Sequence, residues 1–309
     1  MDRDLVLFSL MRKFEKEGIE CANALPLSSK SSFKIGGKAD LAVFPKNASE
    51  LEYIMAYLKD REMPYIVVGN ASNILFEDDG YRGCVIFTEK MNGVTVDGNS
   101  ITAGAGMSFT ALATAAKNAS LTGLEFAYGI PGSVGGAVAM NAGAYGGQVS
   151  DVIKSCTLFD AEKCEVCTLT KDEMELSYRH TVFSENKNLI CISATFTLKE
   201  GKKDEIDAVM RDLMQRRISK QPLEYPSAGS VFKRPAPDLF VGKMIEDSGL
   251  KGYTVGGAQI SEKHAGFIIN VGDATAKDVL DLVEYIKGVI RENYGVELEC
   301  EIRRVGNGE

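Results

Sequence analysis

Residues 123–147, GLEFAYGIPGSVGGAVAMNAGAYGG, hold eight glycines in 25 positions, interleaved with Ala, Val, Ile, Met and two Tyr. A polar linker does not have this composition. Glycine lets the backbone take positive φ and approach a ligand closely, and successive exposed amides form nests that hold anions. Taken alone, the stretch reads equally well as a tight crossing of core segments. Two further small-residue turns weigh toward a large phosphate-bearing ligand: Ile35-Gly36-Gly37, and Gly69-Asn70-Ala71-Ser72-Asn73 at the end of the apolar run 65–68. A ligand turn after a buried strand fits a site at the carboxyl end of a sheet. Neither turn is a Rossmann or Walker A fingerprint.

The periodicity predicts a helix over 4–18, a strand over 39–44, a helix over 49–61 introduced by Asn47, and strands over 65–68 and 84–87, which together make an α/β unit with a parallel component. A hairpin over 92–104 turns at Asp97-Gly98-Asn99, and an Ala-rich helix over 107–119 has Ser108 as its cap. Ile130 to Gly136 reads as a turn feeding a short helix through Met140, whose start would face a pyrophosphate. Strands over 151–159, 164–169 and 190–198 make the centre α+β. Helices follow over 204–219, with Ile206, Val209, Met210 and Leu213 on one side, over 239–247 and over 275–291. The run 296–305 reads as a terminal strand.

Net charge −8 excludes a broad nucleic-acid or anionic-membrane surface. The charged N-terminus is not a signal peptide, and no apolar run approaches bilayer length, so a cytoplasmic protein is expected. The seven cysteines, an odd count, read as reduced and mostly buried thiols, including the pair Cys164 and Cys167. With two histidines and no dense ligand cluster, no metal is expected. The polar groups left for chemistry are Tyr178-Arg179, Ser230, Lys233, Arg234, Glu299 and Glu301, a thin set for acid–base or nucleophilic catalysis. Redox chemistry on a flavin, with Arg and Lys receiving an anionic substrate, answers that thinness.

Seven segments carry a resemblance: SSFKIGGKAD (31–40), VVGNASNIL (67–75), the glycine-rich stretch (123–147), SYRHTVF (177–183), PSAGSVFKRP (226–235), HAGFIIN (264–270) and LECEIRRVG (298–306). In this order they resemble the UDP-N-acetylenolpyruvoylglucosamine reductase family, in its shorter, second type. The resemblance implies an α+β chain: an FAD-binding fold of the vanillyl-alcohol-oxidase/PCMH type in two subdomains (1–90 plus 296–309, and 91–203) and an α/β substrate-binding domain (204–295). It implies NADPH-dependent reduction, through bound FAD, of UDP-N-acetylglucosamine enolpyruvate to UDP-N-acetylmuramate in peptidoglycan precursor synthesis, by a monomer. Arg179, Ser230 and Glu301 match the catalytic positions, with Glu299 as the local rival of Glu301. Ile35, Gly36, Gly37, Gly69, Asn70, Ala71, Ser72, Asn73, Gly129, Pro131, Gly132, Ser133, Gly135 and Gly136 match the FAD cradle, and Tyr128 and Ile130 the flavin region. Lys220, Lys233, Arg234 and His264 are candidates for the UDP-sugar. The second type lacks a loop whose tyrosine closes over substrate, so no residue here takes that role. Asn70-Ala71 departs from the usual Gly-Gly or Gly-Ser, and Cys300 stands where proline is common. The rivals are another FAD-dependent oxidoreductase of the same fold and a non-catalytic nucleotide-sugar-binding protein.

Overall fold

The computed structural model describes residues 3–307, which form two compact units. The first takes the chain up to Leu25, Asp40–Asn70 and Gly83–Arg216; the second takes Pro26–Ala39, Ala71–Arg82 and the chain from Arg217 on.

The first unit holds two large sheets, beside two short two-stranded ones. One has four strands in the order Glu20–Pro26, Lys38–Phe44, Tyr81–Phe87, Tyr65–Val68. Its last pair is parallel, Tyr65 opposite Cys84 and Val68 opposite Phe87, the component expected from a strand–helix–strand reading. Helices Arg3–Lys16 and Ala48–Asp60 cover it with Leu7, Leu10, Phe14, Leu51, Ile54 and Leu58 against Leu41, Val43, Cys84 and Ile86. Asn47 starts the second of these helices, its Oδ1 accepting the Glu50 amide at 2.9 Å.

The other sheet is antiparallel, in the order Glu165–Thr170, Ile153–Asp160, Leu189–Thr197, Ser100–Gly104, Val94–Asp97. Helix Phe109–Asn118 and the short helix Val134–Ala139 pack on it through Phe109, Leu112, Val134 and Val138, beside Phe126 and Phe196. Ser108 precedes the first of these helices, but its side chain makes no capping bond. Ser133 does cap the short helix, its Oγ accepting the Gly136 amide at 3.3 Å. Helix Lys203–Lys220 buries Ile206 and Met210, while Val209, expected on the same side, is 47% exposed.

The second unit is built on an antiparallel sheet in the order Ser227–Ser230, Phe267–Asn270, Ala258–Ile260, Thr254–Val255. Helix Ala276–Tyr294 lays Val279, Leu282, Val283, Ile286 and Ile290 into the same core as Ala258, Ile260, Ile268 and the helix Val241–Asp247. Phe33, Ile35 and Leu75 close that core from the early chain segments. The expected long terminal strand is regular only at Arg303–Val305, which pairs in parallel with Ile74–Phe76. Upstream it is extended and touches Phe232 by a single bridge at Cys300.

Candidate active site

In the first unit, Gly69 and Asn70 come against the turn 129–136. A Cβ on Gly69 would lie 2.0 Å from Ser133 Oγ, so only glycine allows this approach. Asn70 Nδ2 donates to Pro131 O at 3.2 Å. The turn is fixed from behind. The Gly129 amide donates to Thr110 Oγ1 at 3.0 Å, and those of Val134 and Gly135 donate to Met107 O and Ala105 O, each at 2.8 Å. Tyr128 and Ile130 lie partly buried on the same core.

The amides of Gly132 and Ser133 have no acceptor among the described residues, although Ser133 is buried. A Cβ on Gly136 would meet nothing closer than Ser133 Oγ at 3.4 Å. Two adjacent donors without a protein acceptor, beside a glycine that the protein's own packing does not require, are what a closely held anion such as a pyrophosphate needs. The residues present therefore fit FAD.

Arg179 belongs to the same unit. Ser177 and His180 exchange both backbone bonds, at 3.1 and 3.3 Å, making Tyr178-Arg179 the tip of a tight turn. Arg179 takes left-handed geometry, φ +55°, uncommon outside glycine and the kind of local strain that gathers at functional sites. Its guanidinium reaches Gly143 O at 3.2 Å and lies over the Tyr178 ring, 5.2 Å from the centroid. Thr181 Oγ1 donates to Ala139 O at 2.7 Å and Asn141 Nδ2 to Ser177 O at 2.8 Å. The SYRHTVF segment is thus docked on the glycine-rich stretch. Beside it, Glu175, His180 and Glu185 each bring one ligand atom within 4.8 Å of the others, two of the three side chains being exposed.

In the second unit, Gly36 runs at φ +134° with its Cα against Phe76, where a Cβ would lie 2.6 Å from Phe76 Cβ. Ser32 Oγ donates to Ala71 O at 3.2 Å, and the Gly37 amide to Glu77 O at 2.9 Å. In the turn 69–73 the left-handed position is taken by Ala71, at φ +46°. The two Asn serve as donors: Asn73 Nδ2 binds Glu301 O at 2.9 Å. Ser72 lies beside it, half-buried.

Ser230 ends a strand held from both sides. The next residue, Val231, donates to Gly266 O at 2.9 Å and accepts the Glu301 amide at 2.7 Å. Lys233 donates through its amide to Glu299 O at 2.9 Å, and its ammonium pairs with the Glu299 carboxylate. Glu299 is therefore engaged at the surface by Lys233, while Glu301 is half-buried beside the Ser230 strand. Arg234 lies over the Phe240 ring at 4.6 Å, and Lys220 is exposed at the end of its helix. The His264 imidazole, lowered from its ordinary pKa chiefly by burial, accepts the Gly266 amide on Nδ1 at 3.1 Å. Burial also pushes the Cys300 thiol up, so the group next to Glu301 stays a neutral thiol at neutral pH. The sequence reading missed Gly266, because nothing in HAGF marks its carbonyl as the partner of Val231. Cys164 and Cys167 are free thiols, the first in a turn and the second in a strand.

A relative from Clostridium novyi, named UDP-N-acetylenolpyruvoylglucosamine reductase, is 48% identical over 93% of this chain and 92% of its own length. The chain belongs to the UDP-N-acetylenolpyruvoylglucosamine reductase family. A second member of this reductase family, from Caldanaerobacter subterraneus, is 46% identical over 97% of this chain and 98% of its own. The family's C-terminal domain profile matches residues 221–305 and an FAD binding domain profile matches 39–170. The solved UDP-N-acetylenolpyruvylglucosamine reductase of Thermus caldophilus superposes with a TM-score of 0.78 at 33% identity, covering 93% of this chain and 98% of that one. The reductase family's cofactor is FAD, and its α+β fold with an FAD-binding domain is the one expected from the seven segments. No helix among the described residues is long and apolar enough to cross a membrane.

Proposed function

We propose that this protein reduces UDP-N-acetylglucosamine enolpyruvate to UDP-N-acetylmuramate in peptidoglycan precursor synthesis, as a cytoplasmic monomer. The observation that carries this reading to the level of residues is the 2.7 Å bond from the Glu301 amide to Val231 O, which sets Glu301 on the segment neighbouring Ser230. FAD, held by the cradle residues, would supply the hydride carrier between NADPH and the enolpyruvyl group. Ser230 donates the proton that C2 requires. A serine is a poor acid in water, so the neighbouring groups must stabilise its transient alkoxide and return a proton to it. Glu301 has the role of orienting that network. Arg179, a cation of fixed geometry, stabilises the negative charge that develops on the substrate when hydride arrives. The cradle residues 35–37, 69–73 and 129–136 hold FAD, and Lys220, Lys233, Arg234 and His264 receive the UDP-sugar. The division of labour places FAD on 1–90 with 296–309 and on 91–203, and substrate on 204–295. The compact units follow a different division, the second taking Pro26–Ala39 and Ala71–Arg82 as well as the chain from Arg217 on.

The test is spectroscopic. The purified protein should show a flavin spectrum that bleaches with NADPH and returns anaerobically on adding the enolpyruvyl substrate. A flavin that bleaches and stays reduced removes the proposed substrate. Ser230→Ala is expected to slow the return at least a hundredfold, the usual scale for a proton donor, and to leave bleaching intact. Equal loss in both half-reactions overturns the role of Ser230.

A further inference from the structure

Gly266 stands between His264 and Ser230. A Cβ built on it would lie 3.0 Å from His264 Cε1, 3.2 Å from His264 Nδ1 and 3.6 Å from Ser230 Oγ. Its amide donates to His264 Nδ1 at 3.1 Å, and its carbonyl accepts the Val231 amide at 2.9 Å. One peptide segment is therefore gripped by the imidazole on one side and grips the Ser230 strand on the other. The residue is itself held, backbone and ring. Ser261 Oγ accepts the His264 amide at 3.2 Å, the Phe267 amide donates to His264 O at 3.0 Å, and the ring meets the Phe267 ring edge-on at 5.0 Å. Gly242 of the helix Val241–Asp247 closes the far side, where a Cβ would come within 3.2 Å of Cε1.

We propose that His264 is a positioning residue for Ser230: its neutral imidazole, with the proton on Nε2, fixes Gly266 and through it the edge that presents the serine hydroxyl. The inference rests on the assignment of Ser230 above. An Nδ1 that accepts a hydrogen bond carries no proton, so the tautomer follows from the contact. The imidazolium has two N–H donors and no acceptor, so protonation breaks the bond to Gly266. Burial disfavours that cation, while His264's own backbone and Glu246 favour it and Lys251 and Lys220 oppose it. The grip is therefore whole at neutral pH and is lost as pH falls through the lowered value.

The chain has two histidines, so a His180→Gln background leaves His264 alone in an imidazole nitrogen-15 NMR spectrum. Neutral imidazole with the proton on Nε2 at pH 7 is expected; a proton on Nδ1 overturns the proposal. His264→Asn keeps an acceptor where Nδ1 stands, and His264→Gln moves it one bond further out. Stopped-flow reoxidation of the reduced protein by saturating enolpyruvyl substrate should be about tenfold slower in His264→Gln than in His264→Asn, the scale of one lost hydrogen bond. Reduction by NADPH should not distinguish the two variants. The acid limb of the parent's reoxidation rate should coincide with the NMR titration of His264 and vanish in His264→Asn. Equal rates in the two variants, or an acid limb that persists in His264→Asn, overturns the positioning role. Should a variant fail to fold, the parent's tautomer and acid limb still decide. A Ser230→Ala variant that reoxidises normally instead removes the Ser230 assignment, whatever His264 does.

Discussion

Gly69 and Gly136 are glycine for opposite reasons. At Gly69 the obstacle is protein, Ser133 Oγ 2.0 Å from where a methyl would sit. At Gly136 the methyl would meet only Ser133 Oγ, at 3.4 Å, and the space beyond belongs in this reading to FAD. Gly69→Ala should therefore push the two loops apart and lower both the melting temperature and the flavin content. Gly136→Ala should leave the apoprotein's melting temperature within about 2 °C of the parent, since a helical Gly→Ala carries no folding penalty, and still weaken FAD binding at least tenfold. Melting curves of the apoproteins and flavin titrations separate the two; equal destabilisation would mean that Gly136 is a packing residue. At this scale the sequence was legible where the residue type is forced by its own backbone and opaque where a neighbour decides. Asn is the usual tenant of a left-handed turn position, but Ala71 occupies it at φ +46°, held there by Ser32 Oγ on its carbonyl, a contact across 39 positions of sequence.

The helix Ala276–Tyr294 shows how much of an element local sequence carries. Thr275 and Asp278 form a reciprocal box, Thr275 Oγ1 accepting the Asp278 amide at 3.1 Å and Asp278 Oδ2 accepting the Thr275 amide at 2.9 Å. That signature is readable in the sequence. A third cap is not: Asp78 accepts the amides of Ala276 at 2.8 Å and Lys277 at 3.1 Å from almost two hundred residues away. Asp78→Ala should cost about 1–2 kcal/mol in chemical denaturation, whereas the exposed neighbour Asp79→Ala should be near neutral. The Thr275 amide, followed by the Thr275 hydroxyl and the Gly257 amide, holds the Asp278 carboxyl below its ordinary range. A carboxyl lowered on folding stabilises above its unfolded value and loses that contribution as pH falls through the folded one. The Asp278→Asn variant should therefore flatten the acid side of the stability profile. Distance also explains the terminal run read as one strand: its ladder exists only at Arg303–Val305, because the partner there is Ile74–Phe76, and upstream it is offered a single bridge.

Across the whole molecule, all seven cysteines are free thiols. Cys84, Cys156 and Cys191 are buried; burial pushes the Cys84 thiol up, and Cys156 is raised mainly by its contact with Cys191, Sγ to Sγ 3.4 Å. Reaction needs the thiolate and access. A thiol-reactive dye should label Cys164 first, Cys21, Cys167 and Cys300 more slowly, and Cys84, Cys156 and Cys191 only on unfolding. Labelling of the buried three at the rate of Cys164 would contradict this burial. At the same scale the seven segments showed family and cofactor because they keep one order along nearly the whole chain. The boundary between the two units was not readable, since each unit is gathered from separated stretches of chain.

That gathering governs how the protein is made. The second unit draws on Pro26–Ala39, Ala71–Arg82 and everything from Arg217 on. At about 5–20 residues per second of synthesis, the loop with Ile35 leaves the ribosome roughly 10–50 s before Arg303–Val305 is made. For most of that interval Phe33, Ile35 and Leu75 have no Ile268, Leu282 or Ile286 to pack against. The nascent chain therefore carries an exposed apolar segment, a natural client for a ribosome-bound chaperone.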